Sequence, residues 1–293
     1  MFRLGIVGSD NSHAEAFSKL VNLDEGINGL RVEDCKVTHI YGTDPKRTEE
    51  VAKIGKIPNI VAKAEDMIGA VDGIACVWRH GGKHLADTLP FLKAGLPAFV
   101  DKPLACSVAD ATQLLDAAEK AKVGFTSFST LRYAANVVEY INFLKEKAGP
   151  LTAGVSTGPA DLTSEYGGIF FYGIHAVELM NAVWGYGCDS VKAAEHNNNV
   201  VVACKFGNGA LVTLNLMGNA TYAFHLLAFG KDAWKEHAVD SSTCYFDGMK
   251  MYLETMKTGK WPLTREQLLE PVKILAAIDK SLKENREVKC DEA

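Results

Sequence analysis

The sequence predicts an α/β protein in two parts, an N-terminal doubly wound parallel sheet and a C-terminal α+β domain on an open, predominantly antiparallel sheet. Three observations carry this expectation. Over the first half, short apolar runs alternate with helix-length amphipathic segments, and a parallel crossover needs a connection of that size. After about residue 150 the alternation gives way to successive β-type runs with short connections. The 293-residue length suits two domains, expected at 1–125 and 126–293.

Residues 2–7 form an apolar run broken by Arg3 that ends in Gly8-Ser9-Asp10-Asn11-Ser12, a buried strand entering a turn. Ser12 and Glu15 have the spacing of a capping box, which predicts a helix through Ala16, Phe17, Leu20 and Val21. Residues 37–41 read as a strand, and residues 46–54 as a helix after the Gly42-Thr43-Asp44-Pro45 turn. The pattern repeats with strands at 73–78, 98–100 and 123–128 and helices at 83–94 and 108–121. In such sheets the ligand crevice lies beyond the carboxyl ends of the strands. That rule puts residues 8–12, 42–44, 79–84 and 101–103 along one rim.

A helix at 136–147 opens the second domain, followed by β-type runs at 151–156, 189–194, 200–206, 210–216 and 222–229. Gly207-Asn208-Gly209 is a hairpin signal, because Asn and Gly tolerate the positive φ of tight turns. Thr264 and Gln267 form a second capping box, ahead of Leu268, Leu269, Val272, Leu275, Ala276, Ile278 and Leu282 at helical spacing.

Composition narrows the partners. Apolar residues are 47% and charged residues 23%, the balance of a soluble globular chain. With 31 basic against 36 acidic residues, the net charge of −5 excludes a non-specific nucleic-acid binder and favours a small-molecule partner. Seven scattered cysteines without a CxxC pair indicate neither a disulfide framework nor a thiolate zinc site. The first twenty residues lack a secretory apolar region, and no run approaches the ~18 residues of a membrane span. The expectation is therefore a cytoplasmic protein with no membrane partner.

The glycine turn after the first strand suits a pyrophosphate, since backbone N–H groups and a helix N-terminus converge there. Gly5 and Gly8 are present, but Asp10 and His13 stand where GxGxxG has its second and third glycines. A dinucleotide turn and a plain strand-to-helix turn both remain open. Gly42 occupies the place of the acid that holds the adenosine ribose, while Thr43, Lys46 and Arg47 offer themselves to a 2′-phosphate or simply to solvent. Asp101-Lys102-Pro103 closes a strand on the rim, where a lysine can hydrogen-bond a substrate oxygen and exchange its proton. Gly167-Gly168 leads to Tyr172 and to His175, which is either a structural residue or a general base near the start of a helix over residues 176–180. His80 and His84 have i, i+4 spacing, but Gly81-Gly82 and the lack of a third ligand speak against a metal.

In this order, strand, glycine turn, DKP and GG…GIH, the chain resembles the Gfo/Idh/MocA oxidoreductases nearly throughout. The resemblance implies a Rossmann-like domain that binds NAD or NADP, then a sheet domain that binds substrate and forms a homodimer or homotetramer. It implies hydride transfer between the nicotinamide and a sugar, polyol or related hydroxyl compound. It places Lys102 and His175 as catalytic residues, with Lys102 orienting the reacting oxygen and His175 taking its proton. Cofactor contacts are implied at Gly8, Ser9, Asp10, Asn11, Ser12, Thr43, Arg79, His84, Asp101 and Lys102. Substrate contacts are implied at Lys102, Arg132, Tyr172 and His175. The family's aspartate four residues before the histidine is Phe171 here. That departure, with Asp10 and Gly42, keeps open a non-catalytic nucleotide- or sugar-sensing protein of the same fold.

Overall fold

The structure is a computed structural model and describes residues 1–292. The chain divides into two compact units, the first made of Met1–Ala105, Ala109–Phe128 and Tyr245–Thr264, the second of Cys106–Val108, Ser129–Cys244 and the segment from Arg265 onward.

In the first unit β1 (Phe2–Val7), α1 (Ser12–Asn22), β2 (Cys35–Tyr41), α2 (Pro45–Ile54), β3 (Asn59–Ile60), β4 (Gly73–Cys76), α3 (His84–Lys93), β5 (Ala98–Val100), α4 (Val108–Ala121) and β6 (Phe125–Thr126) alternate as expected, except that the two-residue strand β3 was not anticipated. The six strands lie in the order β3-β2-β1-β4-β5-β6, and every pair is parallel. The order reverses between β1 and β4, which opens a crevice beyond Val7 and Cys76. Leu4, Ile6, Val7, Ile74 and Val100 are fully buried, so these strands read as continuous apolar runs rather than alternating ones.

One cap differs from expectation. Helix α1 is capped by Asn11, whose side chain accepts from the His13 backbone N–H, and not by a Ser12–Glu15 box. The Glu15 carboxylate is drawn away by Arg47 of α2. Helix α2 is capped by Asp44 with Pro45 in its first turn, where the missing proline N–H costs nothing.

The second unit holds α5 (Ala135–Lys147), β7 (Leu151–Pro159), α6 (Phe170–Trp184), β8 (Cys188–His196), β9 (Asn199–Phe206), β10 (Leu211–Met217), β11 (His225–Gly230) and β12 (Trp234–Ala238). After α7 (Cys244–Thr258) come α8 (Arg265–Glu284) and β13 (Val288–Lys289). The sheet order is β12-β11-β7-β10-β9-β8-β13, antiparallel except for the β7–β10 pair. The GNG segment joins β9 to β10, with Gly209 at φ +89. Helix α6 packs on β7 and β10, and α8 on β8. It starts at Phe170, so His175 lies in its second turn rather than ahead of it. Phe170 and Ile174 are buried apolar residues that extend the helix toward its N-terminus.

The boundary expected at residue 125 falls at 128, and the second part is interrupted. Helix α7, which the sequence reading did not single out, joins the first unit from Tyr245 on. Tyr252 stacks on Phe99 with ring centres 4.5 Å apart, and a Cβ on Gly124 would stand 2.1 Å from the Thr255 carbonyl. Backbone approach this close tolerates only glycine. Among the described residues no helix is long and apolar enough to cross a membrane.

Candidate active site

The crevice of the first unit is organised by a buried carboxylate. Asp101, directly after β5, is fully buried and accepts from the Asn11 side-chain amide at 3.1 Å and from the Lys102 backbone N–H at 2.8 Å. His13 Nδ1 stands 2.6 Å from the same carboxylate oxygen that the Asn11 amide reaches, while the Lys102 N–H takes the other. Burial works against ionisation of Asp101, but the charges of His13 and Lys102 outweigh it and hold the carboxyl below the usual carboxylate range. His13, where a dinucleotide fingerprint has glycine, thus packs its ring nitrogen against Asp101. The Tyr245 ring covers it edge-on at 5.0 Å.

The other turn residues are committed in the same manner. Gly8 has φ +105, and a Cβ there would lie 2.8 Å from the Trp78 backbone nitrogen. Asp10 accepts from the Arg79 backbone N–H at 3.1 Å, which ties the first turn to the loop after β4. Ser12 is exposed at the start of α1. Ser9 turns its hydroxyl to Thr48 at 2.9 Å, and both press on Gly42, where a Cβ would meet the two oxygens at 2.0 and 2.3 Å. An acid at position 42 has no room. Beyond β2 lies a cavity of about 540 Å³ lined by Tyr41, Gly42, Thr43, Pro45, Thr48 and Ile60. Its volume and position beside the β1–α1 turn fit the adenosine half of a dinucleotide.

Lys102 is 5% exposed and joined to Pro103 by a cis peptide. His84, expected on the cofactor wall, is wholly buried: Nε2 lies 2.9 Å from the Trp78 carbonyl and Nδ1 2.9 Å from that of Pro103. Burial pushes its pKa down, against the pull of those carbonyls and Asp101. Its ring ties the DKP turn to the loop after β4 and offers no face to a ligand. His80 accepts from the Gly82 N–H and caps a short turn, so the two histidines serve the loop separately. Arg47, weighed as a phosphate ligand, is bonded to Ser9, Glu15 and Glu50.

In the second unit His175 lies on α6 with its Nδ1 2.7 Å from the hydroxyl of Ser129, and both residues are buried. Sequence reasoning missed Ser129, since a lone serine in a loop carries no pattern. Phe171, one turn before His175, belongs to an aromatic cluster with Tyr166 at 5.0 Å and Tyr172 at 4.7 Å, and Tyr172 and Phe224 flank the imidazole at 5.8 and 5.5 Å. The histidine thus has a hydroxyl partner in an aromatic setting, and position 171 brings it no carboxylate. Arg132, expected to bind substrate, is instead buried against Glu178 at 2.5 Å and the Tyr186 hydroxyl at 2.8 Å. Burial disfavours its charge, but Glu178 and the neighbouring tyrosines raise its pKa above the ordinary value. The Glu178 carboxylate is therefore spent on Arg132.

Residues 2–128 match the Gfo/Idh/MocA model, described as an oxidoreductase family with an NAD-binding Rossmann fold. No curated protein matches the chain in sequence. Among solved structures, a probable dehydrogenase from Thermotoga maritima is 18% identical at a TM-score of 0.83, covering 99% of each chain. A myo-inositol 2-dehydrogenase from Lactobacillus plantarum is 18% identical at 0.83, covering 98% of this chain and 99% of that one. A scyllo-inositol dehydrogenase from Lactobacillus casei, with bound NAD(H) and scyllo-inositol, is 14% identical at 0.86, covering 99% of each. At such identities these likenesses establish the fold.

Two outcomes follow from the buried charges. Asp101→Asn should lower stability by about 3–5 kcal/mol at neutral pH, because the Asn11 amide, the Lys102 N–H and His13 all face that buried carboxylate. Folding depresses the Asp101 pKa, so its contribution is full above about pH 4 and fades as pH falls toward the folded value. Denaturant titrations should show the gap between wild type and Asp101→Asn narrowing from pH 6 to pH 3, whereas a constant gap would contradict the pairing. Arg132→Leu should cost about 3–5 kcal/mol without any ligand, and adding Glu178→Gln should recover part of it. A fully stable single variant would return Arg132 to the list of substrate ligands.

Proposed function

From the match of residues 2–128 to the NAD-binding domain of the Gfo/Idh/MocA oxidoreductases, we propose that the protein is an NAD(P)-dependent oxidoreductase acting on a CH–OH group of a sugar, polyol or related compound. The observation that carries this reading is the Asp101 hub. It anchors the backbone of Lys102 beside the turn that begins α1, so that a buried lysine sits in the crevice of a dinucleotide fold. A protein that only held a nucleotide would not need it there.

When bound, the nicotinamide supplies the hydride acceptor or donor. The β1–α1 turn, through Gly8 and the backbone from Ser9 to Ser12, would hold the pyrophosphate, and the cavity beyond β2 would hold the adenosine. Lys102 would hydrogen-bond the reacting oxygen. His175 would accept the hydroxyl proton, its ring oriented by the hydrogen bond between Nδ1 and Ser129. Tyr172 lies against the imidazole on α6 and offers a ring face to the apolar side of a sugar or cyclitol. Inositol dehydrogenases among the similar folds support this substrate class.

Phe171 favours a second reading, a sensor that binds nucleotide or sugar without turnover, because the family's acid is absent from that position. Oligomerisation is part of either reading. The face of the second sheet away from α6 and α8 exposes Val201, Leu211, Phe229 and Trp234, an apolar stripe suited to a second copy of the chain.

NADH and NADPH fluorescence titrations separate these possibilities at the first step. Saturable binding of one of them is expected, and no binding at millimolar nucleotide would end the dehydrogenase reading. With an active substrate, Lys102→Ala should lower kcat by about 10²–10⁴-fold. Ordinary turnover in that variant would remove the role given to Lys102. Light scattering should report a dimer or tetramer of the 31.7 kDa chain, and a monomer at all concentrations would refute the sheet interface.

A further inference from the structure

We infer that the chain selects NAD over NADP, because Arg47, the arginine at the start of α2, is caged by carboxylates from two helices. The inference rests on the dinucleotide reading above. In sheets of this strand order the adenosine ribose lies at the carboxyl end of the second strand, where an acid takes the 2′-hydroxyl or a nearby arginine takes a 2′-phosphate. Gly42 holds the acid's place and has no room for one, since a Cβ would meet the Ser9 and Thr48 hydroxyls. What remains to decide the cofactor is the arginine.

All three guanidinium nitrogens of Arg47 are used. Nε donates to the Ser9 carbonyl at 3.2 Å, Nη1 to Glu50 at 2.8 Å, and Nη2 to Glu15 of α1. Its side chain is 26% exposed and that of Glu15 22%, so the pair is partly shielded from solvent. A 2′-phosphate needs the same N–H groups, and charge-assisted bonds of this kind are the strong ones. It would also meet the negative charges of Glu15, Glu50 and Asp44. Two further cations are near: Lys46 is exposed on α2, and Lys19 stands 3.8 Å from Glu15. Exposed lysines are weak competitors for a site ringed by three carboxylates. A ribose diol carries no charge and asks only for neutral partners, which Thr43 and the Gly42–Thr43 backbone offer at the cavity wall.

The test compares NADH and NADPH affinity in the full chain and in a Glu15→Gln/Glu50→Gln protein. Wild type should bind NADPH about tenfold or more weakly than NADH. The double variant should narrow that ratio by about tenfold, and adding Arg47→Ala should widen it again. Because the ratio is read within one protein, a partly unfolded sample does not distort it. Glu50→Gln alone, at the more exposed carboxylate, should move the ratio the same way if the double variant fails to fold. Equal affinities in wild type, or tighter NADPH, overturn the selection but leave dinucleotide binding standing. An unmoved ratio in the carboxylate variants overturns the caging. Failure of both nucleotides to bind wild type overturns the reading beneath it and the selection together.

Discussion

The buried Asp101 carboxylate, with Asn11, His13 and the Lys102 N–H against it, is the constraint on which the crevice depends. A carboxylate with no solvent exposure cannot stay ionised unless its lone pairs are matched by charge and donors. Here the matches come from three places in the chain: the cap of α1, the second residue of α1, and the backbone that follows β5. The turn after β1 and the lysine after β5 are thereby fixed to one another. In a glycine-fingerprint turn that closeness comes from small residues. In this chain the contacts of one buried carboxylate supply it, and Asp10 adds a further strut to the loop after β4.

Within the second unit the same economy of buried polar groups is visible on one helix. Two polar residues of α6 within a single turn have partners in the segment just before α5: His175 meets Ser129, and Glu178 meets Arg132. The arginine neutralises the acid, which leaves the histidine with a hydroxyl and aromatic rings around it. An imidazole held by a hydrogen bond to a hydroxyl has a set orientation, which is what a general base requires before its pKa matters.

The fold was largely legible because strand and helix periodicity alternate so regularly in the first half, and because Asn208-Gly209 marks its hairpin without ambiguity. The return of α7 to the first unit was not. Its buried face, Met249, Tyr252, Leu253 and Met256, is ordinary amphipathic spacing and does not say which sheet it will cover. In the first unit Gly8, Asp101 and Lys102 were legible because they stand at strand ends that a doubly wound sheet imposes, and in the second His175 drew notice through the glycine pair ahead of α6. Partners were not legible. That His13 would answer Asp101, that Arg132 would be consumed by Glu178, or that His84 would brace two carbonyls depends on contacts between residues distant in sequence. Ser12 illustrates the local version: two side chains compete to cap one helix, and Asn11 wins because its amide also reaches Asp101.

Hydride chemistry is tested most directly by isotope transfer. The protein would be incubated with NAD and a panel of carbon-deuterated cyclitols and sugars, and the nicotinamide then examined by mass spectrometry. Deuterium in the reduced nicotinamide from at least one member of the panel is the predicted result. NAD that binds yet stays unlabelled throughout would contradict it and would leave a sensor built on a dehydrogenase fold.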